Sequence, residues 1–139
     1  MAELTIEAID ENLETAQEFV KNQMEQLNPD PKDIFQIDLV VEEVFVNIAH
    51  YAYAPNTGSV TITCEATKDP AKLTIIFTDS GKHFNPLEKD DPDVTLGLEE
   101  RSIGGLGIFL TKKYMDSLEY RFENNQNILT MKKMILKCH

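Results

Sequence analysis

The feature that most constrains this chain is how its apolar spacing switches between two-residue and three-to-four-residue steps, with the two-residue stretches arriving in adjacent pairs. Leu4, Ile6 and Ala8 alternate with Thr5 and Glu7, which predicts a short half-buried strand ending by Asp10. From Asp10 or Glu11 to Leu27, the residues Leu13, Ala16, Phe19, Val20, Met24 and Leu27 form the stripe of an amphipathic helix. Asn28-Pro29 ends it. Asp30-Pro31 opens a second helix, with Asp as the N-cap, Pro at the first helical position and Asp33 in the first turn. Its stripe is Ile34, Ile37, Val41, Val44, Phe45 and Ile48.

Residues 54–58, Ala-Pro-Asn-Thr-Gly, break the pattern. Beyond them Val60, Ile62 and Cys64 alternate with threonines, and residues 73–77 form a second β-rich run across the turn Lys68-Asp69-Pro70, which together predict a hairpin. Residues 79–102 show no period, and loops of that length are usually functional lids or disordered. Gly104-Gly105-Leu106-Gly107 leads into a short helix over 108–115, with Lys112 and Lys113 near its end where the dipole favours cations. Residues 118–122 and 128–135 close the chain as two strands around the turn Asn124-Asn125-Gln126-Asn127. The order β-α-α-β-β-(loop)-α-β-β predicts an α+β two-layer sandwich, with helices on one face of a mostly antiparallel sheet.

At 139 residues, with no repeat or linker, residues 1–139 are expected to form a single domain. Thirteen Lys+Arg against twenty-four Asp+Glu give a net charge of −11, which repels phosphate backbones and anionic lipids, so neither nucleic acid nor a membrane is expected as a partner. Cys64 and Cys138 lack zinc or disulfide spacing. With no signal-peptide pattern and no apolar run near the ~20 residues of a membrane span, a cytoplasmic protein is expected.

Three local features could carry chemistry. Glu43 and Asn47 stand one helical turn apart, so a carboxylate and an amide oxygen share a face and together suit a hydroxyl and a hard cation; the same pair also reads as two solvated helix residues. Asp79-Ser80-Gly81 ends a strand, and its acceptor-only carboxylate suits an exocyclic amino group, while an ordinary Asx turn is the alternative. The glycines at 104, 105 and 107 allow close backbone approach, and a following helix start offers N–H donors to phosphate, although a tight turn accounts for them equally. The run is neither a P-loop nor a Rossmann fingerprint.

In this order, the three resemble the boxes of the GHKL, or Bergerat-fold, ATP-binding superfamily. Residues 43–47, Glu-Val-Phe-Val-Asn, look like its N box; residues 79–86, Asp-Ser-Gly-Lys-His-Phe-Asn-Pro, like its first glycine box; and Gly105-Leu106-Gly107 like its second. Within it the chain is most similar to the anti-sigma factor serine-protein kinases, over residues 4–133.

That resemblance implies ATP and Mg²⁺ as cofactors. Glu43 would be the general base toward a Ser or Thr hydroxyl of a partner, Asn47 the Mg²⁺ ligand, and Asp79 the acceptor for the adenine amino group, with Gly81 allowing close approach of the base and Phe84 in the same box. Gly105, Leu106 and Gly107 would cradle the phosphates, Arg101 would reach the γ-phosphate or pair with the acidic loop, and Thr130 would match an adenine-side hydroxyl. A lid over residues 80–102 is implied, and so are an anti-anti-sigma (STAS-type) substrate, a sigma factor and a homodimer. Many relatives carry His four residues after the box asparagine, where this chain has Tyr51, with His50 one place earlier. The alternative is a nucleotide-regulated protein-binding module of the same fold with little or no kinase activity.

Overall fold

The computed structural model describes residues 1–88 and 108–135. Five strands, β1 (Ala2–Glu7), β2 (Ser59–Thr67), β3 (Lys72–Asp79), β4 (Ser117–Glu123) and β5 (Gln126–Met134), form one sheet in the order β1-β2-β3-β5-β4. All four pairings are antiparallel. The helices α1 (Leu13–Met24), α2 (Pro31–Asn47) and α3 (Phe109–Tyr114) complete the α+β architecture.

The two-residue alternation decides which face is covered. Val60, Ile62 and Cys64 of β2, Leu73, Ile75 and Phe77 of β3, and Leu129 and Met131 of β5 are buried in one cluster with Ala16, Val20 and Met24 of α1 and Ile37, Val41, Val44 and Phe45 of α2. Between them, on the other face, stand Thr61, Thr63, Thr74, Thr78 and Thr130, all half-buried.

Helix ends follow local chemistry. The Asp30 carboxylate accepts the Lys32 N–H at 2.8 Å, and Pro31 occupies the first turn of α2. The continuous helix expected over 10–27 is instead α1 flanked by 3-10 turns at Asp10–Asn12 and Glu25–Leu27. Asn28 ends it in the left-handed region at φ 50°, a conformation asparagine tolerates. Beyond Asn47 the helix widens into a π turn over Ile48–Ala52, a feature frequent at functional sites.

One buried pair fastens α2, α3 and β5 together. Lys133 Nζ donates to the Tyr114 carbonyl at 3.1 Å and lies 3.9 Å from the Asp33 carboxylate in the first turn of α2. Both side chains are buried.

Candidate functional site

A cavity of about 300 Å³ opens between α2 with its π turn and the ends of β3 and β5. Val44, Asn47 and Ile48 line it from α2; Phe77 and Asp79 from β3; Asn127 and Leu129 from β5; Tyr120 from β4; Lys82, His83 and Phe84 from the loop after β3. Val44 and Ile48 thus serve both the core and the cavity wall, so the α2 stripe is more than the core seam its periodicity indicates.

Asp79 is the buried charge of this cavity. Its Oδ1 accepts the Gly81 N–H at 2.9 Å and the Asn127 Nδ2–H at 3.0 Å. Burial pushes its carboxyl above the ordinary carboxylate range, and the two hydrogen bonds offset part of that rise. Burial, and then the nearby Asp79 charge, likewise raise the Tyr120 hydroxyl. Tyr53 is raised mainly by burial, and its hydroxyl accepts the Ser80 N–H at 2.7 Å while donating to the Ser59 carbonyl at 2.6 Å. That hydroxyl joins the start of β2 to the turn after β3.

Gly81 is needed by protein backbone. A Cβ there would collide with the carbonyl and Cβ of Ala52, and the Ala52 carbonyl also accepts the Lys82 N–H at 2.9 Å. The close approach its missing side chain permits is therefore to the π turn, rather than to a base as the motif implied. Phe84 lies at the cavity mouth, 38% exposed. His83 beside it stacks on Phe122, ring centroids 4.2 Å apart.

Asn47 faces the cavity one turn beyond Glu43. Its Oδ1 is buried at the cavity wall. Glu43 lies off the cavity lining and turns to α3: its Oε2 accepts the Leu110 N–H at 3.1 Å, and its Oε1 accepts the Thr111 N–H and hydroxyl, each at 2.8 Å. A carboxylate at a helix start satisfies orphan donors and complements the dipole. Those two N–H groups are therefore spent on Glu43, which corrects the expectation that the start of this helix would keep them for phosphate.

Thr130 does not reach the cavity. It sits between Leu129 and Met131, which face the helices, so its side chain stands on the opposite face of the sheet. The polar neighbour of Asp79 on β5 is Asn127, which the sequence reading placed in a turn. Counting back in twos from Met131 and Leu129 would have put Asn127 on the buried face. Arg101, Gly105, Leu106 and Gly107, and residues 89–102 of the expected lid, lie outside the described residues.

A two-layer α+β fold holding a buried carboxylate at the end of an apolar cavity beside a helix-borne asparagine has the form of a GHKL-type ATPase domain. Residues 6–133 match the sequence profile described as Histidine kinase-like ATPase domain, and the chain belongs to that family. Its relatives include an anti-sigma F factor of a Thermoanaerobacter species, 32% identical over 86% of this chain and 82% of that protein. The serine/threonine-protein kinase BtrW of Bordetella bronchiseptica is 26% identical over 70% of this chain and 68% of its own length. The serine-protein kinase RsbW of Bacillus cereus is 28% identical over 72% of this chain, which spans 64% of that relative. Among solved structures, one of the RsbU and RsbW domains of a Mycobacterium tuberculosis protein superposes over 97% of this chain and 33% of its own, at a TM-score of 0.66 and 12% identity. The relatives are thus named as anti-sigma factors and serine kinases, and the family implies ATP binding. Among the described residues no helix is long and apolar enough to cross a membrane.

Proposed function

We propose that this chain is a Mg²⁺-ATP-dependent serine/threonine kinase that phosphorylates an anti-anti-sigma protein of the STAS type and sequesters a sigma factor, working as a cytoplasmic homodimer. The observation that carries the reading is Asp79, a buried carboxylate at the wall of a largely apolar cavity with both of its protein hydrogen bonds on Oδ1. An acceptor-only group in that setting suits the exocyclic amino group of adenine against apolar walls. The buried oxygen of Asn47 is the kind of donor a hard cation takes beside phosphates. The residues present therefore fit ATP and Mg²⁺.

In this reading Asp79 and the walls from Val44, Ile48 and Phe77 hold the base, Asn47 holds the cation, and Gly105, Leu106, Gly107 and Arg101 attend the phosphates. Bound ATP and Mg²⁺ would supply the transferable phosphoryl group and the charge that steadies it. Glu43 would take the proton from the incoming hydroxyl. Three of its roughly four lone-pair directions are occupied by α3, which leaves one for that proton. Residues 80–102 would close over the site and exclude water.

The same three hydrogen bonds favour a second reading, in which Glu43 is purely a brace for α3 and the chain is a nucleotide-regulated binding module. Turnover separates the two. Melting is measured with Mg²⁺ plus ADP against EDTA plus ADP, for the wild type and Asn47→Ala, followed by phosphotransfer to candidate STAS proteins. A magnesium-dependent rise of several degrees, lost in the variant, with phosphate appearing on a STAS serine, is the expected result; ligand at about 100 times its Kd adds roughly 2.7 kcal/mol. Binding without transfer would select the second reading, and no shift at millimolar nucleotide would overturn both.

A further inference from the structure

Asn127 is buried, 7% exposed, and its amide is used to capacity. Nδ2 donates to Asp79 Oδ1 at 3.0 Å and to the Lys82 carbonyl at 2.8 Å. Oδ1 accepts the Phe84 N–H at 3.2 Å and the Tyr120 hydroxyl at 2.5 Å. Two donors and two lone pairs meet two acceptors and two donors, so nothing is left over. The amide has only one workable orientation. Flipped, its oxygen would face the Asp79 carboxylate and the Lys82 carbonyl, and its NH₂ would face the Phe84 N–H.

We propose that Asn127 is the positioning residue of the base-recognition end of this cavity. It turns Asp79 so that Oδ1 is spent on the protein and Oδ2 is kept for an exocyclic amino group, and it fixes the loop at 82–84 to that carboxylate. The inference rests on the nucleotide reading above, and it assigns to Asn127 a share of the choice between a 6-amino purine and a 6-oxo purine. Three observations support it. Asp79 and Asn127 are direct cross-strand partners on β3 and β5, so the pair is held by the sheet itself. Lys82 and Phe84, the two loop residues Asn127 grips, both line the cavity. Tyr120, which donates to the same amide, lines it as well, and the Phe122–His83 stack beside it covers the loop from β4.

A carboxylate held this way gains a hydrogen bond from an amino group and meets repulsion from a carbonyl oxygen in the same place. Without Asn127 the carboxylate can rotate and the loop is released. Discrimination then falls, because the acceptor is no longer aimed at one ring position.

The experiment measures the affinity of the full chain for ADP and for inosine diphosphate by titration calorimetry, in the wild type, Asn127→Ala, Tyr120→Phe and Asp79→Ala. Inosine diphosphate differs from ADP by a carbonyl where adenine carries its amino group. Expected are a wild type that prefers ADP, a loss of roughly tenfold or more in that preference in Asn127→Ala, as befits hydrogen bonds to a charged group, and a smaller loss in the same direction in Tyr120→Phe. Asp79→Ala should abolish the preference. A purely structural role for Asn127 would weaken both nucleotides alike and leave their ratio unchanged, and that outcome overturns the proposal. If Asn127→Ala does not fold, Tyr120→Phe decides on the same ratio. A wild type that binds neither nucleotide at millimolar concentration overturns the nucleotide reading itself, which is a different failure from binding ADP with a ratio indifferent to Asn127.

Discussion

Thr111 delivers both its backbone N–H and its hydroxyl to one oxygen of Glu43, each at 2.8 Å, so the N box on α2 is tied directly to the first turn of α3. Thr111 is fully buried, and the chain leading into α3 comes straight from the second glycine box.

Glu43→Gln keeps the size and one acceptor oxygen of the side chain. It is expected to leave ADP binding within a few-fold of wild type and to lower phosphotransfer by about 10²–10⁴, the usual worth of a general base. Single-turnover transfer to a STAS substrate with ADP titration alongside checks both halves. Thr111→Val exchanges the hydroxyl for a methyl group and keeps the backbone N–H bond to Glu43, and urea unfolding should show a loss of about 1 kcal/mol.

Asp79 makes stability depend on pH. Its folded carboxyl is held above the ordinary value of 3.8, so the folded chain keeps this proton to higher pH than the unfolded chain does. The favourable contribution is complete below the unfolded value and disappears as pH rises through the folded value. Asp79→Asn cannot titrate, so its stability relative to wild type should improve as pH rises through that window. Paired urea curves across it read the sign. Binding of ADP to the wild type should weaken as pH falls through the same window, because the acceptor is then protonated.

Gly81→Ala drives a methyl group into the Ala52 backbone. A cost of about 1–3 kcal/mol, typical of overpacking, is expected in thermal unfolding, together with weaker ADP binding as the turn after β3 moves. Exposed Ser80→Ala is the control and should change little.

Lys133→Met removes the ammonium that donates to the Tyr114 carbonyl at the end of α3 and stands 3.9 Å from the Asp33 carboxylate. A hydrogen bond to a charged group is worth about 1.5–3 kcal/mol, and a loss of that size is expected in urea unfolding.

The thiol of Cys64 is pushed up to about 12 by burial, so alkylation at neutral pH should proceed only through unfolding. Its labelling rate, followed by mass spectrometry, should slow when nucleotide stabilises the fold.

Much of this was legible in local patterns. The α2 cap at Asp30 and Pro31, the alternation in β2 and β3, and the helical spacing of Glu43 and Asn47 depend on neighbours within a turn or a pleat. Glu43 and Asn47 lie on α2 and Asp79 ends β3, the elements where their spacing put them. Three features were not legible. The stripe from Val44 to Ile48 reads as core because periodicity reports which face is covered and says nothing about where the cover stops short and leaves a cavity. Gly81 reads as a ligand contact because its collision partner, Ala52, belongs to a π turn that begins where α-helical spacing ends. Thr130 reads as a site residue because it carries a hydroxyl on the right strand.

The element order, the α+β class and the motifs shared with the histidine kinase-like ATPase domains follow from near-neighbour spacing, which any stretch of the chain carries within itself. Tertiary structure alone decided that Asn127, 48 residues from Asp79, completes the carboxylate's setting, and that Glu43 braces α3 across 68 residues. The antiparallel register of β3 and β5 puts Asn127 opposite Asp79, and the two-residue alternation of a strand turns Thr130, three positions on, to the far face. Side-chain parity in a sheet acquires a meaning only once the partner strand and the covered face exist.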